Sequence, residues 1–116
     1  MIERAATGGA PCRYDFPKPL AGRDGCDFSF SGLKTALRLA AEAIERPTGQ
    51  DVADLAASLQ RAIAAHLADR TTRAIAMLAD KGVSTLLVAG GVAANCTIRS
   101  ALKAAAHAEG WRLVYP

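Results

Sequence analysis

Leu86–Asn95 reads LLVAGGVAAN. Four apolar residues run into Gly90-Gly91, and a helix-like stretch, CTIRSALKAAAHAEG, follows. Two glycines at a strand's carboxyl end serve either a tight turn or a ligand. Without Cβ atoms the backbone can take φ > 0 and come close to a bound group. The next helix aims its free N–H groups and positive dipole end at the same place. Asn95 brings one donor group and one acceptor group to it. A nucleotide suits that arrangement, and a plain βα turn suits it equally, because G-x-G-x-x-G does not occur.

Working outward, Thr85–Ala89 is expected as a strand and Ala94–Glu109 as a helix, with Ile98, Leu102 and Ala105 facing in and Gly110 ending it. Trp111–Tyr115 is expected as a second strand. Strand, helix and strand at this spacing predict a βαβ unit with parallel strands. Upstream, Thr48-Gly-Gln-Asp51 forms a capping box with Asp in place of Glu. Behind it a long helix is expected from Gln50 to Lys81. Its apolar stripe is Val52, Leu55, Leu59, Ile63 and Leu67, extended by Ile75 and Leu78. Asp54, Arg61, Asp69, Arg70, Arg73 and Asp80 fall mainly off that stripe and read as a solvated face. Phe28 and Phe30 alternate with Ser29 and Ser31, which predicts a short strand. Ser31 can cap a helix carrying Leu33, Leu37, Ala40 and Ile44 on one face, with Pro47 marking its end. Residues 1–25 hold three prolines and four glycines, and read as loop after a short opening helix.

Composition limits the possibilities further. Of 116 residues, 26 are alanine and only six are aromatic, which favours closely packed helices over a β-sandwich. The net charge of +3 is spread along the chain, permitting RNA contact without predicting it. The three cysteines, Cys12, Cys26 and Cys96, share no C-x-x-C spacing and suit free thiols in a cytoplasmic protein. No apolar run is long enough to span a bilayer. His66 and His107 have no metal-ligand spacing, so no metal site is expected from this chain. Ser29 and Ser31 have no base near in sequence. Lys34 opposes a helix dipole and could meet a phosphate or an acidic partner. Cys96, in a first helical turn, is open to a lowered pKa. Each of these also reads as an ordinary structural or surface residue.

Two stretches carry a resemblance. FPKPLAGRDGCDFSFSGLKTAL together with LLVAGGVAANCTIR resembles the tRNA N6-adenosine threonylcarbamoyltransferase family, long labelled glycoproteases. The likeness runs from about Ile2 to Pro116, with DVADLAASLQ matching the helix between. It implies an actin-like ATPase fold of the sugar kinase and Hsp70 superfamily, of which this chain would be a partial domain: helix-rich α/β with a small, mainly parallel sheet. Within it, 1–25 would be mostly loop, 26–82 a strand plus helical segment, and 83–116 a βαβ unit with a nucleotide-binding turn.

The implied activity moves a threonylcarbamoyl group from threonylcarbamoyl-adenylate to N6 of the adenosine beside the anticodon. Carried over by position, Asn95 would contact the adenylate, with Gly90 and Gly91 framing the surface. Because the Asn95 side chain is expected to reach into the cleft, Asn95→Ala should weaken nucleotide binding without unfolding. The resemblance implies an iron or zinc ion, a tRNA substrate, an inactive paralogue and a small P-loop ATPase. The family's histidine pair, its SGGHT-like loop and its DDAAGEAFDK-like segment do not occur in these 116 residues. The chain is therefore expected to be a piece of the second domain, inactive alone, exposing apolar surface and able to form a homodimer. The alternative is a non-catalytic partner-binding module on the same fold. Peptidase activity would need a metal-bound water or an activated nucleophile, and this chain offers neither.

Overall fold

The computed structural model describes residues 2–16 and 31–115. In chain order it contains α1 (Ile2–Ala5), α2 (Ser31–Glu42), α3 (Gly49–Met77), β1 (Thr85–Leu87), a 3-10 turn (Gly91–Ala94), α4 (Cys96–Ala108) and β2 (Arg112–Val114). The strand expected around Phe28 and Phe30 lies outside the described residues. The fold is a mixed, helix-rich α/β arrangement with a parallel two-stranded sheet. Thr85 pairs with Arg112, Leu86 with Leu113 and Leu87 with Val114. Both strands are shorter than their apolar runs, because pairing stops where the partner strand stops. One further bond, from Val88 N–H to the Val114 carbonyl at 2.9 Å, prolongs the ladder.

The 29-residue α3 is the spine. Its start follows from Thr48: the side-chain oxygen accepts from Asp51 N–H at 3.1 Å, and the Asp51 carboxylate accepts from Thr48 N–H at 2.8 Å. This reciprocal pair satisfies two orphan donors of the first turn. The helix ends at Met77, well before Gly82, where Leu78 N–H turns back to the Ile75 carbonyl. Such an i→i−3 bond tightens the last turn and releases the chain early.

Three neighbours lie against α3: the N-terminal segment, α2 and α4. It is therefore buried on more sides than one apolar stripe can cover. One core joins Phe16, Leu33 and Ala62, with Tyr14, Leu37, Leu55 and Leu59 packed around them. The second joins Ala64, Ile98 and Leu102, with Leu67 and Val88. The expected stripe of Leu55, Leu59, Ile63 and Leu67 is only half-buried, and Val52 is exposed. The fully buried positions of α3 are instead mostly small or polar: Ala57, Ser58, Gln60, Ala62, Ala64 and His66 among them. Alanine lets helix axes approach closely, and Ala57, Ala62 and Ala64 occupy such buried positions.

Two charges expected on a solvated face are buried, Asp54 at 5% and Arg70 at 1% exposure. Arg61 and Asp80 are exposed, as read from the sequence. Asp54 is buried because residues 8–14 run across it. Its Oδ1 accepts from Ala10 N–H at 2.7 Å and Gln50 Nε2 at 2.8 Å, and its Oδ2 from Arg13 Nη1 at 2.8 Å. Arg13 also bridges to Asp51 at 2.8 Å, and Tyr14 N–H donates to Ser58 Oγ at 3.2 Å. Asp51, Asp54 and Ser58, spaced for one helix face, thus clasp the N-terminal segment.

The bond from Ala10 N–H, then Arg13 and Gln50, holds the Asp54 carboxyl down at about 2. A carboxylate depressed below its unfolded value of about 4 contributes stability that is complete above that value and is lost as pH falls through the folded pKa. We therefore expect the stability difference between the wild-type chain and Asp54→Asn to be constant above about pH 5 and to shrink between about pH 4 and 2. Urea titrations across that range measure it. A difference independent of pH would show that the clasp does not depend on the charge.

Candidate functional site

The Gly90-Gly91 turn sits at the carboxyl end of β1. Gly90 has φ +90°, a conformation that any side chain would strain, so one of the two glycines is required by the backbone itself. After it, Gly91–Ala94 forms one 3-10 turn and delivers Asn95 to the N-cap of α4. Asn95 Oδ1 accepts from Ile98 N–H at 3.0 Å. Asn95 Nδ2 donates to Gln60 Oε1 at 2.7 Å, and Gln60 Nε2 donates in turn to Thr97 Oγ1 at 3.0 Å. Gln60 therefore bolts the first turn of α4 to the middle of α3.

Asn95 is buried, at 7% exposure. The sequence leads one to expect a side chain free to meet a ligand, and here it is half committed. An amide has two donor hydrogens and two acceptor sites, so one of each remains for another group. Asn95 lines a cavity of about 270 Å³ together with Ile2, Glu3, Ile63, Gly91, Ala94 and Ile98. Gly91 lines this cavity, while Gly90 makes the turn that presents it. A Cβ at Gly91 would meet no atom within 4 Å, so its place on the wall remains open.

Glu3 is the member that sequence reasoning missed. Its Oε2 accepts from Cys96 N–H at 3.0 Å, across 93 positions of chain. A carboxylate on the free N–H groups of a helix is favourable for the reason a phosphate would be. The anion position at the start of α4 is thus held by the protein's own α1. No local pattern links Glu3 to Cys96, and only the fold brings them together.

The other residues singled out from the sequence lie apart. Ser29 is outside the described residues. Lys34 is exposed on α2. His66 is buried within α3 and His107 exposed on α4. Cys96 is an exposed free thiol, with Arg99 Nη2 at 3.5 Å from its sulfur. Among the described residues no three His, Cys, Asp or Glu side chains come together as metal ligands, and no helix is long and apolar enough to cross a membrane.

A family model for tRNA N6-adenosine threonylcarbamoyltransferase (TsaD) matches residues 1–116. The chain belongs to the TsaD family. It is 49% identical over 120 residues to the tRNA N6-adenosine threonylcarbamoyltransferase of Maricaulis maris, covering 99% of this chain and 32% of that protein. The Sinorhizobium medicae enzyme of the same name is 48% identical over 119 residues, covering 99% and 33%. That of Agrobacterium fabrum is 46% identical over 120, covering 99% and 33%. The chain spans about a third of the length of these TsaD relatives, which agrees with the resemblance read from DFSFSGLKT and VAGGVAAN.

Proposed function

We propose that this chain supplies one wall of the donor site of a tRNA-modifying transferase built on the actin-like fold. Gly90 and Gly91 shape the wall and Asn95 contacts the adenylate of the threonylcarbamoyl donor. The observation that carries this reading is the cavity where Gly91, Asn95 and Glu3 meet at the start of α4. Its chemistry favours the sugar end of a nucleotide over its phosphate. Glu3 already satisfies the Cys96 N–H and would repel a phosphate, whereas ribose hydroxyls can donate to a carboxylate.

The described residues do not offer a fitting ligand set for the iron or zinc that the family likeness implies, and a metal would draw its ligands from elsewhere in the full-length fold. The acceptor is a tRNA in the cytoplasm. The inactive paralogue and the P-loop ATPase would engage the full-length protein. The carboxylate beside the cavity, Glu3, is engaged by the Cys96 N–H, and the chain by itself is expected to catalyse no transfer. Its exposed Leu87, Val114, Val83 and Met77 favour burial by further protein, including a second copy.

The test is an NMR titration of the ¹⁵N-labelled chain with ATP. Amide shifts should cluster at Gly90, Gly91, Asn95 and Cys96. They should weaken markedly in Asn95→Asp, which preserves the cap but removes the amide's N–H donor to the ligand. Shifts scattered elsewhere, or none at millimolar nucleotide, would overturn the assignment.

A further inference from the structure

A second concavity flanks the same helix start. It measures about 230 Å³ and is lined by Cys96, Arg99, Ser100, Lys103, Leu113 and Tyr115. The donor cavity ends on Asn95 and this groove begins on Cys96, so the two are neighbours across one peptide bond. Their chemistry differs. Glu3 faces the first, while the groove has two cations and no carboxylate in its lining. Among the described residues neither Arg99 nor Lys103 is ion-paired, unlike Arg13, Arg70 and Arg73, each of which meets an aspartate. Arg99 and Lys103 stand one turn apart on one face of α4. The Arg99 guanidinium lies 4.6 Å over the Tyr115 ring centroid, which holds its long side chain in place, and Tyr115 remains 45% exposed.

We propose that this groove is the surface that receives the RNA acceptor. The inference rests on the donor-site reading, because a group transfer needs its acceptor beside its donor. Cations one turn apart, one of them held over the Tyr115 ring, match successive backbone phosphates. The exposed tyrosine, stiffened by the guanidinium on one face, is a platform for an unstacked base. The serine hydroxyl adds a neutral donor. This pairing of cations that meet no carboxylate with an aromatic fits single-stranded or loop RNA better than an acidic protein, which would not need the ring.

The test measures binding of the 116-residue chain to a fluorescein-labelled, unmodified tRNA anticodon stem-loop by anisotropy, across a series of salt concentrations. Arg99→Glu/Lys103→Glu should raise Kd at least about tenfold and reduce the salt slope by about 1.4, the share of two phosphate contacts on a single strand. Arg61→Glu/Lys81→Glu changes the net charge equally at exposed positions elsewhere and should raise Kd less than about threefold. Tyr115→Ala should weaken binding about fivefold or more, and Tyr115→Phe should restore it. Equal losses in the two charge-reversed doubles, or no loss at Tyr115, would overturn the groove as the RNA surface.

The ATP titration separates the two readings. If nucleotide shifts at Gly91 and Asn95 persist while RNA binding ignores Arg99 and Lys103, the groove is wrong and the donor site stands. If RNA binding follows the groove while nucleotide shifts are missing, the groove stands and the donor site is wrong.

Discussion

Gly9→Ala should destabilise the chain by about 3 kcal/mol or more, a large share of what a domain of this size possesses. A Cβ on Gly9 would lie 2.0 Å from the Ala53 carbonyl oxygen and 2.4 Å from its carbon. Backbone on a central helix cannot give way as a flexible side-chain tip would, so the N-terminal segment must lift. Lifting it stretches the bonds from Ala10 N–H to Asp54 and from Tyr14 N–H to Ser58, leaving Asp54 buried with fewer partners. The consequence reaches the candidate site, because the same segment carries Glu3 to the Cys96 N–H. Thermal melts should show a fall in Tm of roughly 10 °C or more. Amide exchange should show faster loss of protection at Ala10, with a displaced Cys96 resonance. A Gly9→Ala chain that melts within about 2 °C of wild type, with Cys96 unmoved, would mean that the close approach is not required.

That long-range dependence explains what could be read from the sequence and what could not. The βαβ unit was legible because its parts have local causes, apolar runs of strand length and glycines free to take positive φ, although Asn95, expected inside the first turn of the helix from Ala94, proves to be the cap of a helix that starts at Cys96. The start of α3 was legible for the same reason, since Thr48 and Asp51 satisfy each other within one turn. Periodicity located α3 but not its buried face. Once three neighbours surround a helix, burial is decided by which small residues let them approach, and Ala57, Ala62 and Ala64 look alike in sequence to exposed alanines. Asp54 was assigned to solvent because a charge usually belongs there. Its partners Ala10 and Arg13 are 44 and 41 positions away. Glu3 and Gln60 escaped notice for the same reason, whereas Gly90, Gly91 and Asn95 share one contiguous turn. Half of the candidate site is therefore local and readable, and half exists only after the fold has formed.

The capping role of Asn95 separates stability from ligand contact, and predicts opposite behaviour for two substitutions. Asn95→Ala removes the acceptor for Ile98 N–H, a loss of about 1 kcal/mol for a helix cap. It also strips Gln60 Oε1 of its partner in a buried place, adding about 1–3 kcal/mol. The variant should thus be destabilised by about 3 kcal/mol, contrary to the expectation from sequence that the fold would be indifferent. Asn95→Asp should cost far less. The introduced carboxylate still caps Ile98 N–H. The Gln60 amide can turn over, donating to that carboxylate and accepting from the Thr97 hydroxyl, which rotates freely. Any nucleotide effect of Asn95→Ala would therefore mix unfolding with lost contact, whereas Asn95→Asp isolates the contact. Equilibrium urea unfolding of the two variants checks the order. If the aspartate variant proves as damaging as the alanine one, the Asn95–Gln60–Thr97 chain cannot invert. The donation from Asn95 Nδ2 to Gln60 would then be the bond that anchors α4 to α3.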